Sequence, residues 1–167
     1  MKNSSSPYVV TFVICLLLWL FLTASFAADE LISGVIVSVV VSFIAAPKMK
    51  ILNGLRLHFG FLFGLLTYLL YFFGALLKAN FDLAKRVVSK DMKLHPEVVE
   101  IKTTMRSDLG KLFLANSITL TPGTLTVDVI GDSLLVHWID VPKNVDVAAT
   151  TKLVVAEFET HLKEFLL

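Results

Sequence analysis

The sequence predicts a membrane α-helical N-terminal half with two to three transmembrane helices, followed by a small α+β domain with a three-stranded sheet. Three observations predict it. First, the charge is unevenly placed: of 15 Lys and Arg and 14 Asp and Glu, only Lys2, Asp29, Glu30, Lys48, Lys50 and Arg56 precede Lys78. Second, three long apolar runs lie in that first part. Third, beyond Pro96 the pattern changes to alternating apolar and polar residues punctuated by turn signals. Overall, hydrophobic residues make up 56% and charged residues 17%, against about 45–50% and about 25% in soluble domains.

Residues 1–77 form the expected transmembrane region, with segments at about 8–28, 31–46 and 57–77. Asn3 to Ala28 carries no formal charge, and a helix needs about 20 such residues to cross a bilayer. The run is longer than the apolar core of a secretory signal, about 7–15 residues, so it reads as a retained anchor. Leu31 to Ala46 is closed by Pro47 and is expected to form a tight hairpin with the first segment through Asp29 and Glu30. Leu57 to Leu77 is long enough to span, and His58 marks its start at the interface. Tyr8, Trp19, Tyr68 and Tyr71 suit interfacial or packing positions.

Two small-residue patterns are candidate subunit-interaction sites. Gly34, Ser38, Ser42 and Ala46 recur every four residues and so share one helix face. Gly60 and Gly64 make a GxxxG. In lipid, close backbone approach through small residues drives helix association. The same patterns also serve packing within one chain. None of the three segments contains Asp, Glu, Lys or Arg. Ion pathways through membranes use buried ionisable groups, so this chain is not expected to conduct ions alone.

Residues 78–95 read as a basic amphipathic linker helix continuing from the membrane exit. Lys78, Lys85, Arg86, Lys90 and Lys93 share a broad arc opposite Phe81, Ala84, Val88 and Met92. Basic clusters favour the cytoplasmic side, so the C-terminal domain is expected there. Lys48, Lys50 and Arg56 complicate this. Three full crossings would place them, with Lys2, on the opposite side from the linker cluster, nearly balancing the count. A segment that does not fully cross removes the conflict.

Residues 96–167 form the expected cytoplasmic α+β domain, in the order β-α-β-β-α. Glu97–Thr104 alternates as a half-buried strand does. Ser107 or Asp108 caps a helix through about Ile118. Thr121-Pro122-Gly123-Thr124 spells a type II turn, with Pro fixing φ and Gly supplying a positive φ. Thr124–Ile130 alternates with Leu125, Val127 and Val129 on one face, and Gly131-Asp132 makes a hairpin loop. Leu134–Asp140 returns, with Leu134, Val136 and Trp138 together. Asp146 caps a last helix to about Phe165, with Val147, Val154, Phe158, Leu162 and Phe165 as its apolar face.

No enzyme chemistry is expected. His95, His137 and His161 lack metal-ligand spacing, and no phosphate loop, nucleophile elbow or CxxC occurs. Glu157 and Glu159 read as solvated charges. Ser117, Thr119, Thr121, Thr124 and Thr126 read as turn and strand residues. Cys15 is the one cysteine and makes neither a disulfide nor a zinc site. No cofactor is implied. Beyond Leu77 basic and acidic residues nearly balance, which argues against nucleic acid as a partner.

The segment LANSITLTPGTLTVDV, Leu114 to Val129, resembles the signature of the E subunit of multisubunit, Mrp-type, sodium/proton antiporters. LLVHWIDVP, Leu134 to Pro142, resembles the second strand of that family's cytoplasmic domain. The resemblance covers nearly the whole chain. It implies an accessory, non-conducting subunit in a hetero-oligomer of membrane subunits in the bacterial inner membrane, exchanging sodium or another monovalent cation for protons. The family offers no established catalytic residue to carry onto this chain. Pro122-Gly123 is expected to touch a neighbouring subunit or the chain's own membrane exit helix. The alternative reading is a stand-alone, membrane-tethered binding module.

Overall fold

The computed structural model describes residues 6–48, 54–89, 94–142 and 146–167, with nothing stated of the Leu153 side chain. Lys2, Lys50, Lys90, Met92 and Lys93 lie outside the described residues, as does the end of the expected linker helix. The chain divides into two compact units, residues 1–57 and 58–167.

The first unit is a hairpin of α1, Pro7–Thr23, and α2, Ala28–Ala45, the latter running into a short 3-10 turn, Ala46–Lys48. Pro7 begins α1, where its missing N–H would have no intrahelical partner. The reversal occurs earlier than expected. Ala24 adopts a left-handed conformation (φ 48) and ends α1, while Asp29 and Glu30 lie in the first turn of α2. Acidic groups are favoured there by the positive end of the helix dipole, so they start the helix instead of forming the turn.

The second unit begins with α3, Phe61–Val88, a continuous helix of 28 residues. Among the described residues, two helices are long and apolar enough to cross a membrane, Ala28–Lys48 and Phe61–Val88, while Pro7–Thr23 is shorter, at 17 residues. After α3 come β1 (Glu97–Lys102), α4 (Asp108–Leu120), β2 (Thr124–Ile130) and β3 (Ser133–Trp138). The strands form one antiparallel sheet in the order β1-β3-β2. Ser107 caps α4, its hydroxyl accepting from the Gly110 N–H at 3.0 Å. Gly123 takes φ 95 in the expected turn, with Thr124 N–H donating to the Thr121 carbonyl. The core gathers Ile101, Met105, Leu114, Ile118, Leu134, Val136, Leu162 and Phe165, none more than 1% exposed.

Two details depart from the alternation pattern. A bulge between Thr126 and Asp128 shifts the register of β2 against β3. Thr124 and Thr126 therefore face inward with Trp138 and Val136, while Leu125 and Val127 are at least 50% exposed. A bulge inserts one unpaired residue and re-aims the side chains beyond it. The last helix is two: α5, Val147–Val154, and α6, Ala156–Leu162, separated at Val155 (φ −114). Asp146 caps α5 by accepting from the Ala149 N–H at 2.7 Å. The break lets α5 cover β1 while α6 turns to pack on α3 and α4.

Candidate functional site

Within the second unit, α3 lies along the α+β domain and forms a continuous polar and aromatic seam with it. Near its start, a Cβ on Gly64 would stand 2.9 Å from the Glu164 Cβ, so only a glycine admits this approach. One turn on, the Thr67 hydroxyl lies 3.0 Å from the Glu164 carboxylate. Tyr68 is 6% exposed, and its hydroxyl lies 2.8 Å from the Ser117 hydroxyl. Ser117 has one proton, which it donates to the Phe113 carbonyl at 2.6 Å. Tyr68 is therefore the donor to Ser117. Its ring packs on Phe165 at 5.7 Å and Phe113 at 6.4 Å, and Phe61 meets Phe165 edge-on at 5.9 Å. Tyr71 donates to the Glu157 carboxylate at 2.8 Å and stacks on His161 at 4.7 Å. At the far end, Arg86 pairs with Asp140, which also has His95 at 3.4 Å. The hydrogen bond from Arg86 holds the Asp140 carboxyl below its ordinary value, helped by His95.

Glu159 is a buried charge of the domain, at 6% exposed, contrary to the expectation of a solvated side chain. The segment after β1 presents donors to it. Thr103 Oγ1 donates at 2.6 Å, Thr104 N–H at 2.9 Å, and the Thr104 hydroxyl adds a third hydrogen bond. Lys163 stands 3.2 Å away. Burial disfavours the charge, but these hydrogen bonds outweigh it and hold the Glu159 pKa below its ordinary value. The sequence signal was Thr103-Thr104 at the end of a strand, which periodicity alone does not connect to a glutamate 55 residues later.

The hydroxyl-rich stretch has a structural purpose. The last carbonyls of a helix have no partners inside it. Thr121 donates to the Ser117 carbonyl at 2.8 Å and Thr124 to Ile118 at 2.6 Å, while Thr126 reaches back to Ala115, inside the helix, at 3.1 Å. Thr119 accepts from the Thr126 N–H at 3.1 Å. These bonds tie the end of α4 to the start of β2. Pro122 and Gly123 then line a small cavity with Ala79, Asp82 and Arg86 of α3. The turn thus stands beside α3.

In the first unit, Gly34, Ser38, Ser42 and Ala46 are all buried, and α2 packs on α1. A Cβ on Gly34 would stand 2.6 Å from Trp19 Cδ1, and the Trp19 indole N–H donates to the Glu30 carbonyl at 3.1 Å. Tyr8 meets Phe43 at 5.9 Å. Gly60 sits at the N-cap of α3, with the His58 ring 3.0 Å from where its Cβ would be. Among the described residues, no group of three or more His, Cys, Asp and Glu is placed to hold a metal ion.

A family model described as Na+/H+ ion antiporter subunit matches residues 12–165, nearly the whole chain. The chain belongs to the Na+/H+ ion antiporter subunit family. Among its relatives, the E1 subunit of a Na(+)/H(+) antiporter from Staphylococcus aureus is 31% identical over 134 residues, covering 79% of this chain and 81% of that one. The E subunit of a Na(+)/H(+) antiporter from Alkalihalophilus pseudofirmus is 29% identical over 127 residues, 75% and 78% of the two chains. A solved chain from the membrane-bound sulfane sulfur reductase, an archaeal respiratory membrane complex, is 38% identical, with a TM-score of 0.76 over 95% of this chain and 98% of that one. The chain is thus similar both to subunits of Na(+)/H(+) antiporters and to a chain of an archaeal respiratory membrane complex. In this family member, the Leu114–Val129 signature is the joint between α4 and β2, set against α3.

Proposed function

We propose that this chain is an accessory, non-conducting subunit of a multisubunit monovalent cation/proton antiporter, sodium being the expected cation, and that it supports assembly and stability of that complex. The observation that carries this reading is the character of the hairpin. Beyond Asp29 and Glu30 in its first turn, α2 has no ionisable carboxylate or cation, and α1 has none. Outward residues such as Leu17, Phe21, Ile32, Ile36, Phe43 and Ile44 are between 58% and 89% exposed. Such a surface suits lipid and neighbouring apolar helices, not a proton path. The Gly34, Ser38, Ser42 and Ala46 stripe contributes by holding α1 and α2 in one shape for docking. Gly60, Gly64, Pro122 and Gly123 do the same for α3. The α+β domain lies on the cytoplasmic side of the plasma membrane, as the basic residues around α3 favour. A stand-alone module is the weaker reading, because the relatives are subunits of multisubunit complexes.

The test separates assembly from transport. Deleting the chain should lower recovery of the remaining membrane subunits as one particle in mild detergent. Glu30→Gln and His58→Gln should leave antiport per recovered particle unchanged in reconstituted vesicles. Loss of antiport in a fully recovered Glu30→Gln particle would overturn the non-conducting role. Full recovery of an active particle without the chain would overturn the assembly role.

A further inference from the structure

We infer that α3 does not cross the bilayer: it lies in the plane of the membrane surface, with its outer face in the lipid and the α+β domain on its water side. Its length and apolarity suit a crossing, but its packing does not. The domain contacts α3 from Gly64, against Glu164, to Arg86, paired with Asp140. Those points are separated by about 33 Å at about 1.5 Å per residue. The hydrocarbon core is only about 30 Å thick. A crossing α3 would therefore draw the domain into the bilayer with it. Glu164 at Thr67 and Glu157 at Tyr71 would sit in hydrocarbon. So would the open edges of β1 and β2, which flank the sheet. Lipid tolerates neither unpaired charge nor an open strand edge.

The opposite face of α3 has the chemistry an interfacial helix needs. At 100° per residue, Gly64, Tyr68, Tyr71 and Arg86 fall on one side. Leu62, Phe63, Leu66, Leu70, Phe73 and Leu77 fall on the other, each at least 54% exposed. Lys85 lies on the flank between the faces, where its ammonium group reaches anionic headgroups while its stem stays in the apolar boundary. The helix dipole adds to this, since its last turn carries Lys85 and Arg86.

This placement also removes the charge conflict. With α3 in plane, Lys48 and Arg56 before it and Lys78, Lys85 and Arg86 within it share one side. These residues then obey the positive-inside bias. The inference concerns membrane geometry and stands whether or not the transport reading does.

The experiment uses the full chain in its native membrane, with Cys15→Ser to remove the one thiol. Phe59→Cys and Ser89→Cys mark the two ends of α3 at exposed positions. A membrane-impermeant maleimide is applied to right-side-out and inverted vesicles. Both ends should label from the same, cytoplasmic side; labelling from opposite sides would overturn the inference. A second measurement fixes what covers the outer face. Fluorophores on Phe63→Cys, Leu70→Cys and Leu77→Cys are quenched with lipids brominated near the headgroup or near the chain end. All three should be quenched alike, and more strongly by the shallow bromine. A deep maximum at Leu70 would mean a crossing helix. No quenching at any of the three would mean that another protein, not lipid, occupies this face, and would overturn the lipid assignment.

Discussion

The α1–α2 hairpin and the α3 seam are built from similar amino acids but hold together differently. In the hairpin, helices approach through absent side chains: Gly34 admits Trp19, and Ser38 is 1% exposed. The buried hydroxyls of Thr11 and Ser38 have no hydrogen-bond partner among the described residues. The seam uses added side chains. Tyrosines and a threonine present hydroxyls to Ser117, Glu157 and Glu164, and their rings interleave with Phe158 and Phe165. The first device suits an apolar solvent, where hydrophobicity gives helices no reason to associate. The second needs a polar partner on one side and is directional. A helix that offers apolar residues all round belongs in lipid; one that separates its faces belongs at a boundary.

Breaking the seam should have the largest effect. Tyr68→Ala removes a ring packed on Phe113 and Phe165, and should cost about 3–5 kcal/mol of the second unit's stability. Proteolysis of the detergent-solubilised chain should then release the α+β domain from α3. Tyr68→Phe, which keeps the ring and loses only the bond to Ser117, should cost about 1 kcal/mol and leave the domain attached.

Glu159 sharpens the contrast, because it is a buried charge with no equivalent among the described residues of the hairpin. Glu159→Gln should cost about 1.5–3 kcal/mol, the worth of hydrogen bonds to a charged group. Its folded pKa lies below the ordinary value of 4.5. Its contribution is thus fully present above that value and is lost as pH falls through the lower, folded one. The wild-type melting temperature should fall as the pH is lowered below 4.5, and the Glu159→Gln chain should show a shallower fall. An equally steep fall in both would remove Glu159 from the account.

Gly34→Val tests the other side. The added atoms meet the Trp19 ring, and overpacking of this kind costs about 1–3 kcal/mol. A disulfide engineered between Tyr8→Cys and Phe43→Cys should form more slowly in that background, while the melting of the α+β domain should not change.

Much of this was legible in the sequence. The turn at Pro122-Gly123, the caps at Ser107 and Asp146 and the bounds of β2 depend on local backbone chemistry, and local chemistry is written locally. What escaped depends on contacts distant in the chain. The bulge in β2 makes Thr124 and Thr126 face inward, because their hydroxyls serve carbonyls of α4. Glu159 is buried because Thr103 and Thr104 come to it. The break at Val155 follows from two surfaces, β1 and α3, that one straight helix cannot cover together. The small-residue stripe was visible as a stripe, but its spacing did not say that Gly34 would meet Trp19 of α1.

The joint between α4 and β2 has a consequence for how such chains are recognised. Its hydroxyls are committed to carbonyls of α4, so the stretch that resembles the E-subunit signature records how a helix is fastened to a strand. A fastening is indifferent to cargo. Machines with unlike chemistry, a sodium/proton exchanger in one organism and a sulfur-reducing respiratory complex in another, have use for the same part.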